Sequence, residues 1–319
     1  MKYTLVTILL VCVTLSSFSQ STEEKFQRAK IYYSDSQQLS QLESLGVAVD
    51  HGKHKKGYFI ISDFSTSELT IARDNGFKFD ILIDDLEQHF LTQNNLKAAV
   101  RNLDCDNSAE TYETPVHFND PAGSMGGYFT YQEVLDELDQ MKALYPNLIT
   151  TKANISNFLT QGQPDNSVTP SIGGNGIKWV KISDNPDASE PEPQILYTAI
   201  HHAREPMSLH QLIFYMWYLL ENYDTDPEIQ SIVDNTELYF VPVVNPDGYL
   251  YNEKTNPNGG GFWRKNRRNN GNGTFGVDNN RNYEFFIDGN SSNGMWGGEG
   301  SSGNPDSQVY RGTGPFSEV

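Results

Sequence analysis

At 319 residues, with 37% hydrophobic and 12% aromatic side chains, the chain has enough apolar material for a sizeable core and for one large unit beside a smaller one. Its 41 acidic residues against 23 basic ones leave a net charge of -18, which argues against nucleic acid as a partner, because binding phosphates needs a basic face. Acidity alone names no substrate.

Met1-Lys2-Tyr3, the apolar run from Leu5 to Leu15, and the following Ser16, Ser17 and Ser19 form the three parts of a secretory signal peptide, residues 1–19, with cleavage expected after Ser19. The competing reading, an uncleaved anchor, is disfavoured because a bilayer span needs roughly 20 apolar residues. The mature protein is therefore expected to be secreted or periplasmic, with no membrane association after cleavage. Once Cys12 leaves with the signal, Cys105 stands alone, so no disulfide is expected within the mature chain.

From about Phe26 to Phe90, β-type runs at Lys30–Tyr33, Gly57–Ile61 and Phe77–Ile83 alternate with helical runs at Gln37–Leu45 and Ser67–Asn75, which predicts a small α+β sandwich over residues 20–95. The stretch from about Thr92 to Gly123 has no clear period and is rich in Asn, Asp, Ser and Pro. It is expected to be an exposed linker, residues 96–123, open to proteolysis.

A second unit, residues 124–319, begins with a helix near Tyr128. Thr130 and Glu133 stand at the spacing of a capping box, and Val134, Leu135, Leu138 and Met141 share one face. Strands are predicted at Ile149–Ile155, Ile177–Ile182 and Gln194–Ile200. Pro206 suits the first position of a helix that continues from Ser208 to Tyr223 and is too apolar for an exposed surface. A further strand, Glu237–Val244, ends at Asn245-Pro246-Asp247-Gly248, which reads as a turn. Loops are expected at 255–261 and 286–306. Alternating strands and helices with polar residues bunched at strand ends predict an α/β sheet whose site lies along one edge.

Three clusters carry candidate chemistry. His202 and Glu205 follow the predicted strand Gln194–Ile200 directly and can reach one metal ion if the chain bends from strand to helix between them, although His-x-x-Glu alone is a weak signal. The run Phe262-Trp263-Arg264-Lys265-Asn266-Arg267-Arg268 packs four cations into an acidic chain. Its residue types leave a solvated basic face and an anion-binding cluster equally open. In Gly276-Val277-Asp278-Asn279-Asn280-Arg281-Asn282-Tyr283 an Asn and an Arg are adjacent, and guanidinium groups bind carboxylates through paired hydrogen bonds.

In order and wording these elements resemble the zinc metallocarboxypeptidases from about Tyr128 to Val319, including Asn245-Pro246-Asp247-Gly248-Tyr249 and the closing Tyr310-Arg311-Gly312 to Phe316-Ser317-Glu318. The Gly- and Ser-rich segment from Trp296 to Tyr310 looks most like the bacterial carboxypeptidase T type. The resemblance implies an α/β fold with a mixed central sheet flanked by helices, preceded by a small α+β pro-domain. It implies one zinc ion held by His202 and Glu205, with Asp278 orienting the histidine from behind. It also implies that Arg264 stabilises an oxyanion and that Asn280 and Arg281 clamp the substrate's terminal carboxylate. Peptide or protein C-termini would be the substrates, and the upstream unit would be a pro-segment removed by an activating protease. His201 is read as a neighbour of the ligand, and His210 as packing on its helix.

The family's third ligand, a histidine, and its catalytic glutamate lie later than any counterpart here, since no histidine follows His210. The chain is therefore expected to be a C-terminally truncated form, with little peptidase activity and poor zinc affinity, and with the apolar faces of Gln194–Ile200 and Leu209–Leu220 short of cover. Two alternatives stay open: a non-catalytic binder of peptide C-termini that keeps the carboxylate clamp, and a zinc amidase acting on cell-wall peptides.

Overall fold

The computed structural model describes residues 24–99, 113–118, 125–284, 296–298 and 300–318. The expected signal peptide, Cys105 and most of the predicted linker lie outside the described residues.

In strand β1 (Phe26–Tyr32), Ala29 and Ile31, two apart, share the face that enters the first core. The strand pairs antiparallel with both β3 (Phe59–Ser65) and β4 (Phe79–Ile83), and β2 (Lys53–Lys55) adds to the far side of β3. The sheet order is thus β2-β3-β1-β4. Helices α1 (Ser36–Ser44) and α2 (Thr66–Asp74) contribute Leu42, Leu69 and Ala72 to a core with Ile31, Ile60 and Phe64, as the sequence pattern predicts. Ser65 and Glu68 cap α2 reciprocally, and the buried Glu68 also accepts from the Ala48 N–H at 2.7 Å.

One correction falls here. Helix α3 (Leu86–Ala99) takes in the start of the stretch read as linker. Its Leu, Gln, Lys and Ala residues are good helix formers without an apolar period, and Asp85 caps its first turn through the Gln88 N–H.

The second sheet has the order β5-β6-β8-β7. Strands β5 (Ala153–Asn154), β6 (Lys178–Ile182) and β8 (Glu237–Val241) run antiparallel in turn, whereas β7 (Gln194–Thr198) lies parallel to β8. The sheet is therefore mixed. The predicted strand Ile149–Ile155 shrinks to β5 and a single bridge from Ile149 to Ile182.

Helix α4 (Tyr131–Leu144) begins at the predicted capping box and buries Val134, Leu138 and Met141. Helix α5 (Pro206–Asn222) has Pro206 in its first turn and buries Leu209, Leu212, Ile213, Met216, Trp217 and Leu220. It packs against α4 and α6 (Pro227–Asp234), the latter unpredicted, so the apolar face expected to lack cover has it. Edge strand β7 does not: Ile195 and Leu196 are 42% and 65% exposed.

The run Asn245-Pro246-Asp247-Gly248 starts a helix instead of a turn, α7 (Pro246–Thr255). The Asn245 side chain accepts from the Gly248 N–H at 3.0 Å and Pro246 occupies the first turn. Turns and helix starts draw on the same residue types, because both need a side-chain acceptor for a free N–H and a φ near that of proline.

Candidate metal and carboxylate site

The parallel pair β7 and β8 delivers its C-terminal ends to one edge, and the site forms there. Beyond β7, Ile200 turns through φ +50°, a left-handed conformation that is strained for a β-branched residue. This sharp turn sends His202 inward ahead of α5, and the Ser208 hydroxyl steadies it by accepting from the Ile200 N–H at 3.2 Å. Glu205 is the residue just before α5, three positions on and on the same side.

His202 is buried, and its two ring nitrogens face different carboxylates. Nδ1 lies 2.9 Å from Glu205 Oε1, and Nε2 lies 3.1 Å from Asp278 Oδ1. Burial disfavours the charged ring, but the Asp278 and Glu205 hydrogen bonds outweigh it and raise the His202 pKa. Burial likewise works against the Glu205 carboxylate, and the His202 contact reverses the balance, lowering its pKa.

This donor set fits a zinc ion. An imidazole nitrogen and a carboxylate oxygen converge, and the other imidazole nitrogen is fixed by a buried carboxylate, an arrangement that sets the tautomer of a metal-binding histidine.

Arg264 and Asp278 are fully buried as an ion pair, with Arg264 Nε at 2.9 Å and Nη2 at 2.8 Å both donating to Asp278 Oδ2. Asp278 also caps the short 3-10 turn Asn279–Arg281 by accepting from the Asn280 N–H at 2.9 Å. One carboxylate thus positions His202, Arg264 and the Asn280-Arg281 turn together. Burial alone would raise its pKa, but Arg264 and His202 hold it well below the ordinary carboxylate range.

The basic run is not a solvated face. Arg264 and Lys265 are buried, Arg267 stacks 3.7 Å from the Tyr251 ring centroid and 4.3 Å from that of Trp263, and Arg268 pairs with Glu318. The Lys265 ammonium donates to the Pro305 carbonyl at 2.8 Å, and its burial lowers its pKa to about 8.

Arg281 donates through Nε to the Gly300 carbonyl at 2.7 Å and through Nη1 to the Asn280 carbonyl at 3.1 Å. These bonds aim its remaining Nη2 at the site. Asn280 itself is exposed beside it. His201 places Nε2 3.2 Å from the Tyr283 hydroxyl, away from the metal-type pair, and His210 lies among the rings of Phe118, Tyr128 and Phe129 on α5. His210 thus packs on its helix, as the sequence reading put it.

Sequence reasoning missed the residues that face this site from the first unit. Asp50 Oδ2 accepts from Arg264 Nη2 at 3.3 Å and from Arg281 Nη2, and Asp50 Oδ1 lies 3.2 Å from His51 Nδ1. Burial opposes ionisation of Asp50, yet His51, Arg264 and Arg281 together hold its carboxyl far below the usual range. His51 Nε2 takes a hydrogen bond from Arg264 Nη1 and lies 3.7 Å from Glu205 Oε1. The loop is fixed behind them by Gly52, whose φ is +106° and where a Cβ would lie 2.2 Å from the Ile61 carbonyl oxygen, so no other residue fits.

Around this loop the two units also meet through a stacked Phe26–Phe262 pair, centroids 5.0 Å apart, and through Asn256 Nδ2 donating to Glu87 Oε1 at 2.7 Å. A cavity of about 610 Å³ opens beside His51 and Glu205, with Arg204 and Phe262 in its wall. Asp247 was missed as well. Its buried carboxylate accepts from Thr160 Oγ1, Gly162 N, Gly173 N and Asn175 Nδ2 at 2.8–2.9 Å, which anchors the 160–175 loop to the start of α7.

Residues 159–319 match the zinc carboxypeptidase family profile. A zinc carboxypeptidase of Saccharothrix mutabilis subsp. capreolus is 35% identical over 161 residues, which is 50% of this chain and 33% of that protein. Carboxypeptidase A2 of Mus musculus is 32% identical over 197 residues, 61% of this chain and 40% of that one. The chain thus spans less than half the length of these two relatives. Among solved structures, the carboxypeptidase A of Helicoverpa armigera superposes with a TM-score of 0.62 at 21% identity, covering 92% of this chain and 64% of that one, which shows a shared fold.

Proposed function

The chain belongs to the zinc carboxypeptidase family, and from that premise we propose that its residues serve a secreted zinc metallocarboxypeptidase made as a zymogen, which hydrolyses the C-terminal peptide bond of peptides and proteins. The family uses a single zinc ion. His202 and Glu205 are the residues that hold it, and when bound there zinc supplies Lewis-acid activation of a water.

The chain's own groups account for the choice of a terminal bond. Arg281, aligned by two backbone carbonyls, binds the substrate's free carboxylate with Asn280 beside it. Arg264, locked on Asp278, presents positive charge to the oxyanion that forms at the scissile carbonyl. Asp278 keeps the His202 ring in the orientation that points Nδ1 toward Glu205.

One observation carries the reading. The Asp50 carboxylate is already held by both Arg264 and Arg281, so the site takes a carboxylate where a C-terminal one would sit, and the N-terminal unit supplies it. On this reading residues 1–19 are the secretion signal, 20–95 the pro-segment and 96–123 the segment an activating protease cuts. Among the described residues no helix is long and apolar enough to cross a membrane.

The test uses the full-length enzyme, zinc-loaded and cut within residues 96–123, with one peptide offered in free-acid and amidated forms. Stepwise release of C-terminal amino acids from the free acid alone, abolished by a chelator and absent before the cut, is the expected result. Equal hydrolysis of both forms would point to an amidase, and binding without release to a carrier of C-termini. Either would overturn the reading.

A further inference from the structure

In the reading above, His202 and Glu205 are the zinc ligands that the second unit brings to this edge. The structure brings a further donor from the first unit. One ring nitrogen each of His51 and His202 and a Glu205 carboxylate oxygen all lie within 4.8 Å of one another. The two separations to Glu205 Oε1 are 2.9 Å from His202 Nδ1 and 3.7 Å from His51 Nε2. Zinc with bonds of about 2.0–2.2 Å holds tetrahedral donors roughly 3.3–3.5 Å apart, which lies between those two values.

We propose that His51 is a further protein ligand for zinc held by His202 and Glu205, so that the N-terminal unit closes the metal site as well as the carboxylate clamp. The inference rests on the metal-site reading above and extends it to a residue outside the family-matched segment. Two histidines and a carboxylate make a donor set well suited to zinc.

The hydrogen bonds around His51 prepare it for this role. Arginine is always a donor, so the contact from Arg264 Nη1 requires a lone pair on His51 Nε2. The proton then sits on Nδ1 and faces Asp50 Oδ1 at 3.2 Å. A carboxylate behind one ring nitrogen and a lone pair on the other is how a ligating histidine is oriented. Arg264 competes for the same lone pair, but its Nε and Nη2 are both anchored on Asp278, so releasing Nη1 leaves it in place. Gly52 and the Ile61 backbone fix the loop, so His51 reaches the site from a rigid support.

The experiment measures Zn²⁺ affinity by competition with a chromophoric chelator, together with the visible spectrum of bound Co²⁺. It compares the 319-residue chain with its His51→Ala, Asp50→Asn, His202→Ala and His54→Ala variants, each checked for folding by circular dichroism. The intact chain is expected to bind one Zn²⁺. His51→Ala should weaken binding by about 100-fold or more and move the Co²⁺ band, since losing a ligand exceeds the roughly 10–100-fold cost of losing an outer partner. Asp50→Asn should weaken binding within that range of about 10–100-fold, and it decides the matter if His51→Ala fails to fold. His54→Ala, on β2 and outside the site, should match the intact chain.

Unchanged affinity and spectrum in a folded His51→Ala protein, with binding lost in His202→Ala, would overturn the role of His51 and leave the metal-site reading standing. No zinc binding by the intact chain, or binding untouched by His202→Ala, would overturn both.

Discussion

The two four-stranded sheets of this chain differ in construction and in what they contribute to the site. The first, β2-β3-β1-β4, is wholly antiparallel and packs on two short helices. The second, β5-β6-β8-β7, contains a parallel pair whose strand ends point to one edge and deliver His202 and Asn245 there. The second sheet builds its part of the site from strand ends and a buried ionic pair, whereas the first gives only the loop tip at Asp50 and His51. The contrast separates the machinery from what covers it. Polar residues fixed by Asp278 belong to the second unit alone, and the groups the first unit adds can leave without dismantling them.

The largest expected effect comes from breaking the shared anchor. Asp278→Ala leaves Arg264 buried without its main counter-charge, which should destabilise the second unit by about 3–5 kcal/mol in denaturant unfolding. A loss under about 1 kcal/mol would show that the anchor is not built as described. Ile31→Ala cuts the core of the first sheet and should cost about 2–5 kcal/mol there. Because the cores are separate clusters, the second unit's near-ultraviolet signal should survive, and a single shared transition would contradict the division.

Glu253 offers a pH test confined to the second unit. Burial is the main cause of its raised pKa, about 7 against an ordinary 4.5, and the Tyr131 N–H only partly offsets it. A carboxyl raised on folding is stable while protonated, so its contribution is full below pH 4.5 and is lost as pH rises to about 7. Glu253→Gln should remove that decline, raising stability at pH 8 by about 3 kcal/mol relative to its effect at pH 4. The same pH slope in both proteins would rule the assignment out. The smallest effect is expected from Asn245→Ala, which removes the cap of α7 and should cost about 1 kcal/mol, read as a shift in the denaturant midpoint at constant slope.

Much of this was legible from local pattern. The capping box at Thr130 and Glu133, the apolar face of α5, Pro206 at its start and His202 just past a strand are short-range signals, and the structure places each as expected. The Asn245 run misled because a helix start and a turn share their chemistry. The basic run was ambiguous because composition does not say which cations a fold will bury. Asp50 and His51 left no trace at all. His51 meets Arg264 across 213 residues of sequence, and neither spacing nor periodicity encodes a contact made only when two sheets dock.

On the proposed function, the N-terminal unit holds Asp50 where a substrate's terminal carboxylate would sit. The most direct measurement is calorimetric titration of a short free-acid peptide into the zinc-loaded chain and its Asp50→Ala variant. Removing a charge-assisted competitor worth about 1.5–3 kcal/mol should tighten binding roughly 10–100-fold, with the amidated peptide unaffected. Equal affinity of the two proteins for the free acid would contradict the account.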